Sequence, residues 1–348
     1  MKFTGSEVLT YSDITALRGK LQDLYNANSA VRIGLDFGSA KLDESVISTN
    51  QMFANGNSYL KSIVFPSELS QSLTFGNQYF FTNPSLEYVQ FPKNIAGLGN
   101  AMFSSYSSSY LPAATASLKV EIPETVKNLN NAFMGTTNLT QIILNEGLEI
   151  ILPGDFIYCN NLKSIEIPST VKSIGYNAFL GCTSLKKLVL KNGLESIARN
   201  AFSSAFSEDI EPFDIPSTVK TLEDGVFEHS KIKTAKIPGT VTSIGKYLFQ
   251  DCTKLEFCEI NTKNIPSYTI NFCSALKSLV IGENVESIAS TIVYNPDNIP
   301  SLTSVEFKNP KGWSVSDGVG PIPEKDLKDK AKAAQLIKQY YNKTWTRS

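Results

Sequence analysis

The stretch Leu162–Cys182, LKSIEIPSTVKSIGYNAFLGC, is one copy of a unit that recurs along the chain. Its first leucine is followed by the next, Leu185, after 23 residues. Within it Leu162, Ile165 and Ile167 hold positions 1, 4 and 6, and Pro168 holds position 7. Val171 and Ile174 stand at 10 and 13, Ala178-Phe179 at 17 and 18, and Cys182 at 21. Self-similarity at a fixed period of roughly 20–50 residues marks a solenoid, a propeller or an array. Position 1 falls at Ala30, Leu60, Leu86, Ser117, Leu139, Leu162, Leu185, Ile210, Ile232, Leu255, Leu276 and Leu302. The spacing is 30, 26 and 31 residues at first and 21–26 from Ser117 onwards. Loose ends around a regular middle suit an array whose terminal repeats present a solvated face.

Positions 4 and 6 are both apolar, as in Ile142/Leu144, Leu188/Leu190, Leu279/Ile281 and Val305/Phe307, and in several copies a polar residue stands between them, as Glu306 does between Val305 and Phe307. That period of two predicts a strand with one buried face. A proline follows in Pro66, Pro92, Pro123, Pro168, Pro216 and Pro238. It has no N–H to give and so ends the ladder there. Positions 10 and 13, such as Val126/Leu129, Leu194/Ile197 and Val285/Ile288, predict a second buried edge after the turn. Phe103, Phe133, Phe156, Phe179, Phe202, Phe227, Phe249 and Phe272 predict a ladder of stacked rings. No unit can bury its apolar face alone, so stability must come from neighbours.

The flanks differ. Residues 1–29 read as an N-terminal helical cap, with Ser12-Asp13 capping a helix over 13–26 and Ile14, Leu17, Leu21 and Leu24 as its apolar stripe. Residues 30–309 form the array of 11–12 repeats. Residues 310–348 form a bridge, Trp313 and Gly318–Pro323, and a capping helix with Leu327, Ala334, Ile337 and Tyr341 on one face. Three insertions, Ser104–Ser117, Ser207–Pro212 and Tyr294–Pro300, read as surface loops.

Composition removes several classes of function. With 32 basic and 33 acidic side chains the net charge is −1, which argues against nucleic-acid binding by counterion release. No run of 18 apolar residues is present to span a membrane, and MKFTGSEVLT lacks the apolar core of a signal peptide. His229 is the single histidine. There is no G-x-x-x-x-G-K-[ST], G-x-S-x-G or H-E-x-x-H.

The unit L-x-x-I-x-I-P, V-x-x-I-G, A-F-x-x-C resembles the BspA-like leucine-rich repeats, a short-strand class of this length. Asn177–Cys182 and Leu248–Cys252 carry the A-F-x-x-C close, and the resemblance covers roughly residues 60–307. It implies an α/β repeat solenoid, a right-handed leucine-rich-repeat coil with one parallel sheet and a helix at each end. It also implies a non-enzymatic cell-surface or secreted protein whose export signal lies outside this chain. The implied role is adhesive binding, as a monomer, to a protein or glycan partner such as a host surface or matrix. The alternative is a purely structural solenoid domain of a larger surface assembly.

The chemistry-bearing residues have bland readings beside sharp ones. Cys159, Cys182, Cys252 and Cys273 share position 21 and Cys258 lies in a strand. Packing as small apolar side chains competes with disulfides between neighbouring rungs, and metal binding lacks any C-x-x-C pair. His229 stands in the position-21 column before Cys252, so a Cys–His dyad competes with a plain turn position. No catalytic, cofactor or metal residue is expected. Function is assigned to the solvent face of the strands, positions 3 and 5, as the concave binding surface of a solenoid. The candidates there are Tyr88, Lys119, Gln141, Ile143, Glu166, Lys187, Val189, Lys236 and Phe257. Tyr106 and Tyr110, in the serine-rich insertion, are candidate loop contacts.

Overall fold

A computed structural model describes residues 1–54, 58–104 and 116–348. The candidate contacts Tyr106 and Tyr110 lie outside the described residues. The chain divides into two compact units: Met1–Val171 with Cys182–Leu185, and Lys172–Gly181 with Lys186–Ser348. The fold is a parallel β-solenoid of about 11 turns.

In the first unit the N-terminal segment is more than a helix. Strand β1 (Lys2–Leu9) leads into helix α1 (Tyr11–Ala27), and β2 (Ile33–Leu42) returns parallel to β1. Thr10, not Ser12-Asp13, caps α1. Its hydroxyl accepts from the Asp13 N–H, and the Asp13 carboxylate accepts from the Thr10 N–H at 2.8 Å, a reciprocal pair that satisfies two orphan donors. Ile14 and Leu21 are buried, whereas Leu24 is exposed. Helix α2 (Glu44–Ser48) follows, and then the long strands begin: β3 (Leu60–Val64), β4 (Tyr88–Gln90), β5 (Leu118–Ile122) and β6 (Leu139–Leu144). All pair in parallel, β2 through β6, and β6 pairs with Ser164–Ile167. Ile63, Val89, Val120 and Ile142 at position 4 are all buried.

The second unit repeats the scheme. Strands Thr234–Ile237, Phe257–Ile260, Ser278–Ile281 and Ser304–Phe307 form one parallel ladder. A second ladder of two-residue strands runs beside it at positions 12 and 13, through Ser173–Ile174, Ser196–Ile197, Thr221–Leu222 and Ser243–Ile244. The turn after Ile210 carries no long strand. Pro212 stands at its position 3 and has no N–H for the ladder. At the C-terminus the expected single helix is two, α3 (Glu324–Lys328) and α4 (Lys330–Gln339), broken where Asp329 caps α4 by accepting from the Ala331 and Lys332 N–H groups. The last strand, Trp345–Arg347, pairs antiparallel with Ser287–Ile288 and with Trp313–Val315. Trp313 and Trp345 both pack on Phe307, so the end of the coil is closed by strands as well as by helices.

The phenylalanine ladder forms and is longer than expected. In the first unit Phe53, Phe80, Phe103, Phe133 and Phe156 stack at 5.0–6.0 Å between centroids. In the second, Phe179, Phe202, Phe227 and Phe249 stack at 5.0–5.9 Å. Phe272 does not join it. Its backbone is left-handed and its side chain is 43% exposed, while Ile270 takes the buried place. The reason is a pair of turn columns that flank the rings. Asn131, Gly154, Asn177, Asn200, Gly225, Tyr247 and Tyr268 have φ between +55° and +74°. Four residues further on, Gly135, Tyr158, Gly181, Ser204, His229, Asp251 and Phe272 have φ between +52° and +74°. A residue with a Cβ pays roughly 1–2 kcal/mol in this conformation, which is why glycine and asparagine recur there. At Gly154 an added Cβ would meet only Ile157 Cγ2, at 3.7 Å, so the backbone alone selects glycine. Close approach selects it in the V-x-x-I-G turn. A Cβ on Gly99 would lie 2.0 Å from the Gly76 carbonyl oxygen one turn earlier.

Phe202 is fully buried between Phe179 and Phe227. Phe202→Ala is expected to cost about 3–5 kcal/mol, seen as a lower urea midpoint. A midpoint within error of the parent would show that the ring ladder does not carry stability.

Candidate functional site

The outward positions of the long strands line up across the first unit. Ser62, Tyr88, Lys119, Gln141 and Ser164 are register partners in turn, and Glu121 stands opposite Ile143. Lys119, Gln141 and Glu166 are exposed, and Tyr88 and Ile143 leave 45% and 46% of their surface in solvent. The Tyr88 hydroxyl donates to Gln90 Oε1 at 3.4 Å, and Asn145 Nδ2 donates to Glu121 Oε1 at 3.3 Å. Beside them lies an open groove of about 550 Å³, lined by Tyr88, Gln90, Phe91, Lys93, Glu121, Glu124 and Asn145 among others.

Charge on this face differs from charge on the flanks. On the flanks, Lys61 pairs with Glu87 at 3.3 Å and Lys127 with Glu149 at 3.4 Å, each across one turn. Such exposed pairs contribute little to stability but mark a satisfied surface. Lys93, Lys119, Glu121 and Glu124 make no ion pair among the described residues. The groove therefore offers both signs of charge, an aromatic ring and amide groups to whatever enters it.

The second unit carries the remaining candidates. Lys187 and Lys236 are exposed, while Val189 and Phe257 are half-buried. Phe257 lies in register between Thr234 and Ser278, and Lys236 faces Glu259. The missing strand around Pro212 keeps Lys187 and Val189 out of that ladder. Ala235 takes position 4 where bulkier residues stand elsewhere, leaving a void of only about 10 Å³.

The cysteines are built into the core. All five are free and buried. Cys159, Cys182, Cys252 and Cys273 donate from Sγ to the carbonyls of Phe133, Phe156, Phe227 and Phe249, at 3.0–3.2 Å. Burial pushes the Cys182 and Cys252 thiols up to about 12, so neither is a nucleophile at neutral pH. His229 falls one place before the cysteine column, in line with Gly181 and Asp251, while Ser230 takes the column itself, and the His229 ring does not meet Cys252. It lies 3.7 Å from Glu228 and 3.6 Å from Asp251, half in solvent, while Cys252 Sγ rests against Phe227 O and Ser230. Among the described residues one acid is buried, Asp155, at a position where Ala132 and Ala178 stand in other turns. Burial pushes it up to about 7, against the opposing pull of the Leu152 and Asn131 N–H groups that it accepts from. It fastens a turn rather than lining a cleft. Among the described residues no group of three or more His, Cys, Asp or Glu is placed to hold a metal, and no helix is long and apolar enough to cross a membrane.

A family model for the BspA type leucine rich repeat region, in six copies, matches residues 35–112, 113–211 and 204–310. The chain belongs to the BspA-type leucine-rich-repeat family. In fold this BspA-type chain is similar to a leucine-rich repeat protein from Bacteroides ovatus, with 19% identity over 79% of this chain and 76% of that one and a TM-score of 0.54. It also matches a leucine rich cell surface protein from Faecalibacterium prausnitzii, with 18% identity over 80% and 83% of the two chains and a TM-score of 0.35. No curated protein matches it. Family and structural neighbours alike are repeat proteins.

Reading the BspA-type repeat by columns found the exposed strand positions but not the groove. Lys93 and Glu124, at position 8 after the prolines, belong to it as much as Tyr88 does. Their signal was a charged residue directly after Pro92 and after Pro123, in the turn that leaves each strand.

Proposed function

We propose that this chain is a protein-binding scaffold whose partner lies on the exposed strand face of the first unit. The observation that carries the reading is the pairing of Tyr88 and Ile143, each nearly half exposed, with a groove of about 550 Å³ beside them. Exposed aromatic and branched side chains next to a concavity are what interface anchors look like. The unpaired charges around them supply orientation more than affinity. Tyr88, Lys119, Gln141, Ile143 and Glu166 contribute from this unit, and no chemistry is asked of them. The half-buried Phe257 and the exposed Lys187 and Lys236 make a lesser surface of their own in the second unit.

Peptides selected from a displayed random library on the immobilised chain test the assignment. The Tyr88→Ala/Ile143→Ser double variant is expected to weaken the best binders about tenfold or more, with the thermal transition unchanged. Binders indifferent to the double variant would overturn it.

We further propose, from family membership, that the chain works outside the cell, at the surface or secreted, as an adhesive module. The burial of every thiol supports this, because a chain with five cysteines then survives an oxidising compartment without needing to pair them. Protease treatment of intact producing cells should remove it or find it in the medium. Full protection until lysis would contradict the placement.

A further inference from the structure

Glu124 and Glu146 both hold position 8, on neighbouring turns, and the coil treats them differently. Glu146 is met by the turn that follows it. Ser169 Oγ and the Ser169 and Thr170 N–H groups donate to its carboxylate at 2.9–3.3 Å. Glu124 has Glu146 and Gly147 in the places of Ser169 and Thr170. Glu146 brings a like charge instead of a hydroxyl, and the Gly147 N–H is taken by Thr170 Oγ1 at 3.2 Å. Among the described residues nothing meets the Glu124 carboxylate. Glu121 is held at one oxygen only. Asn145 Nδ2, which also donates to the Ile122 carbonyl at 3.0 Å, donates to Glu121 Oε1 at 3.3 Å. Tyr88 stands close by. Its hydroxyl reaches Gln90 Oε1, so the ring leans along β4 toward Gln90, one step past the Val89–Val120 pair and beside Glu121. Lys119 is the register partner of Tyr88, yet among the described residues no cation of this chain lies over that ring. Tyr88, Glu121, Glu124 and Asn145 all line the groove, with Lys93 as its one base.

We infer that this groove receives an arginine side chain of the partner protein, with its guanidinium on Glu121 and Glu124 and its flat face on the Tyr88 ring. This rests on the protein-binding reading above and names what the partner must present there. Two carboxylates that receive one hydrogen bond between them lack donors, and a guanidinium carries five in a planar fork. The same plane stacks on an aromatic face, which a compact ammonium does less well. A guanidinium is also more weakly hydrated than an ammonium, so covering it in a groove costs less. An acidic side chain would meet two like charges there against the single base Lys93. Lys93 holds the position-8 column one turn before Glu124, so it keeps the arginine on the glutamate side and fixes the direction in which the partner lies.

Peptides selected by display on the immobilised chain supply the probes. Binders that need Tyr88 and Ile143 are expected to share a basic residue, arginine ahead of lysine. In the tightest of them, made synthetically, exchanging that arginine for citrulline keeps the shape and removes the charge. Binding should weaken about tenfold or more, with a lysine peptide falling between the two. In the protein, Glu121→Gln keeps an acceptor for Asn145 and should weaken the arginine peptide about threefold or more, leaving the citrulline peptide unchanged. Glu124→Gln should do the same. Both variants should keep the parental thermal transition, because both side chains are exposed. Binders that depend on Tyr88 and Ile143 but hold no basic residue, or that bind equally well with citrulline, overturn the inference and leave the binding face standing. If binding ignores Tyr88 and Ile143, the face itself fails.

Discussion

Backbone hydrogen bonds tie neighbouring turns of this coil together. In the second unit Ala198 donates to Ile174, Glu223 to Ile197 and Gly245 to Leu222, at 2.8–3.0 Å, one bond per turn at the same place. On the other side of the ring ladder Phe179, Phe202, Phe227 and Phe249 donate to Ala201, Val226, Leu248 and Thr269. A repeat cut out of the coil would keep almost none of these partners. Buried backbone groups must be paired, so the spacing between turns is fixed by the main chain and each side chain falls over its equivalent. The rings, the leucines and the thiols that donate to the phenylalanine carbonyls all follow from that registration.

Most of this was legible because burial repeats. Ile165 and Ile167, with their equivalents along the chain, had to be apolar for one reason and so were apolar in nearly every copy. What escaped were positions chosen by conformation rather than by burial. The left-handed columns accept Gly154, Asn177, Ser204, His229 and Tyr247 alike, and residues so different leave no hydrophobic period to read. Phe272 matches the ring ladder by residue type but not by spacing. Its distance to Cys273 is one residue, where Phe249 stands three before Cys252, and Ile270 keeps the spacing of three. Strand β1 leaves no signal because its sequence, KFTGSEVL, does not alternate, and the C-terminal segment reads as one helix because Asp329 continues a helix as readily as it caps one.

The candidate surface was legible only in outline. Counting two residues along a strand finds which side chains face out, and Tyr88, Lys119, Gln141 and Ile143 do so. It does not find where two strands part. Between β4 and β5 the pairing reaches only Val89 and Val120, although the sequences on either side, YVQFPK and VEIPET, contain nothing that neighbouring copies lack. A register is a property of two strands together, so a single copy of the repeat cannot show its loss.

The central claim is that neighbouring turns, in register, are what hold the coil together. Removing one whole repeat, residues 232–254, joins Lys231 to Leu255 and should leave a coil one turn shorter, because every remaining residue finds an equivalent neighbour. Removing residues 232–243 instead shifts the strand positions off the period. Circular dichroism and urea unfolding should find the first deletion folded with a cooperative transition at a lower midpoint, and the second unfolded or aggregated. If the whole-repeat deletion unfolds as completely as the out-of-period one, stacking in register is not what specifies this fold.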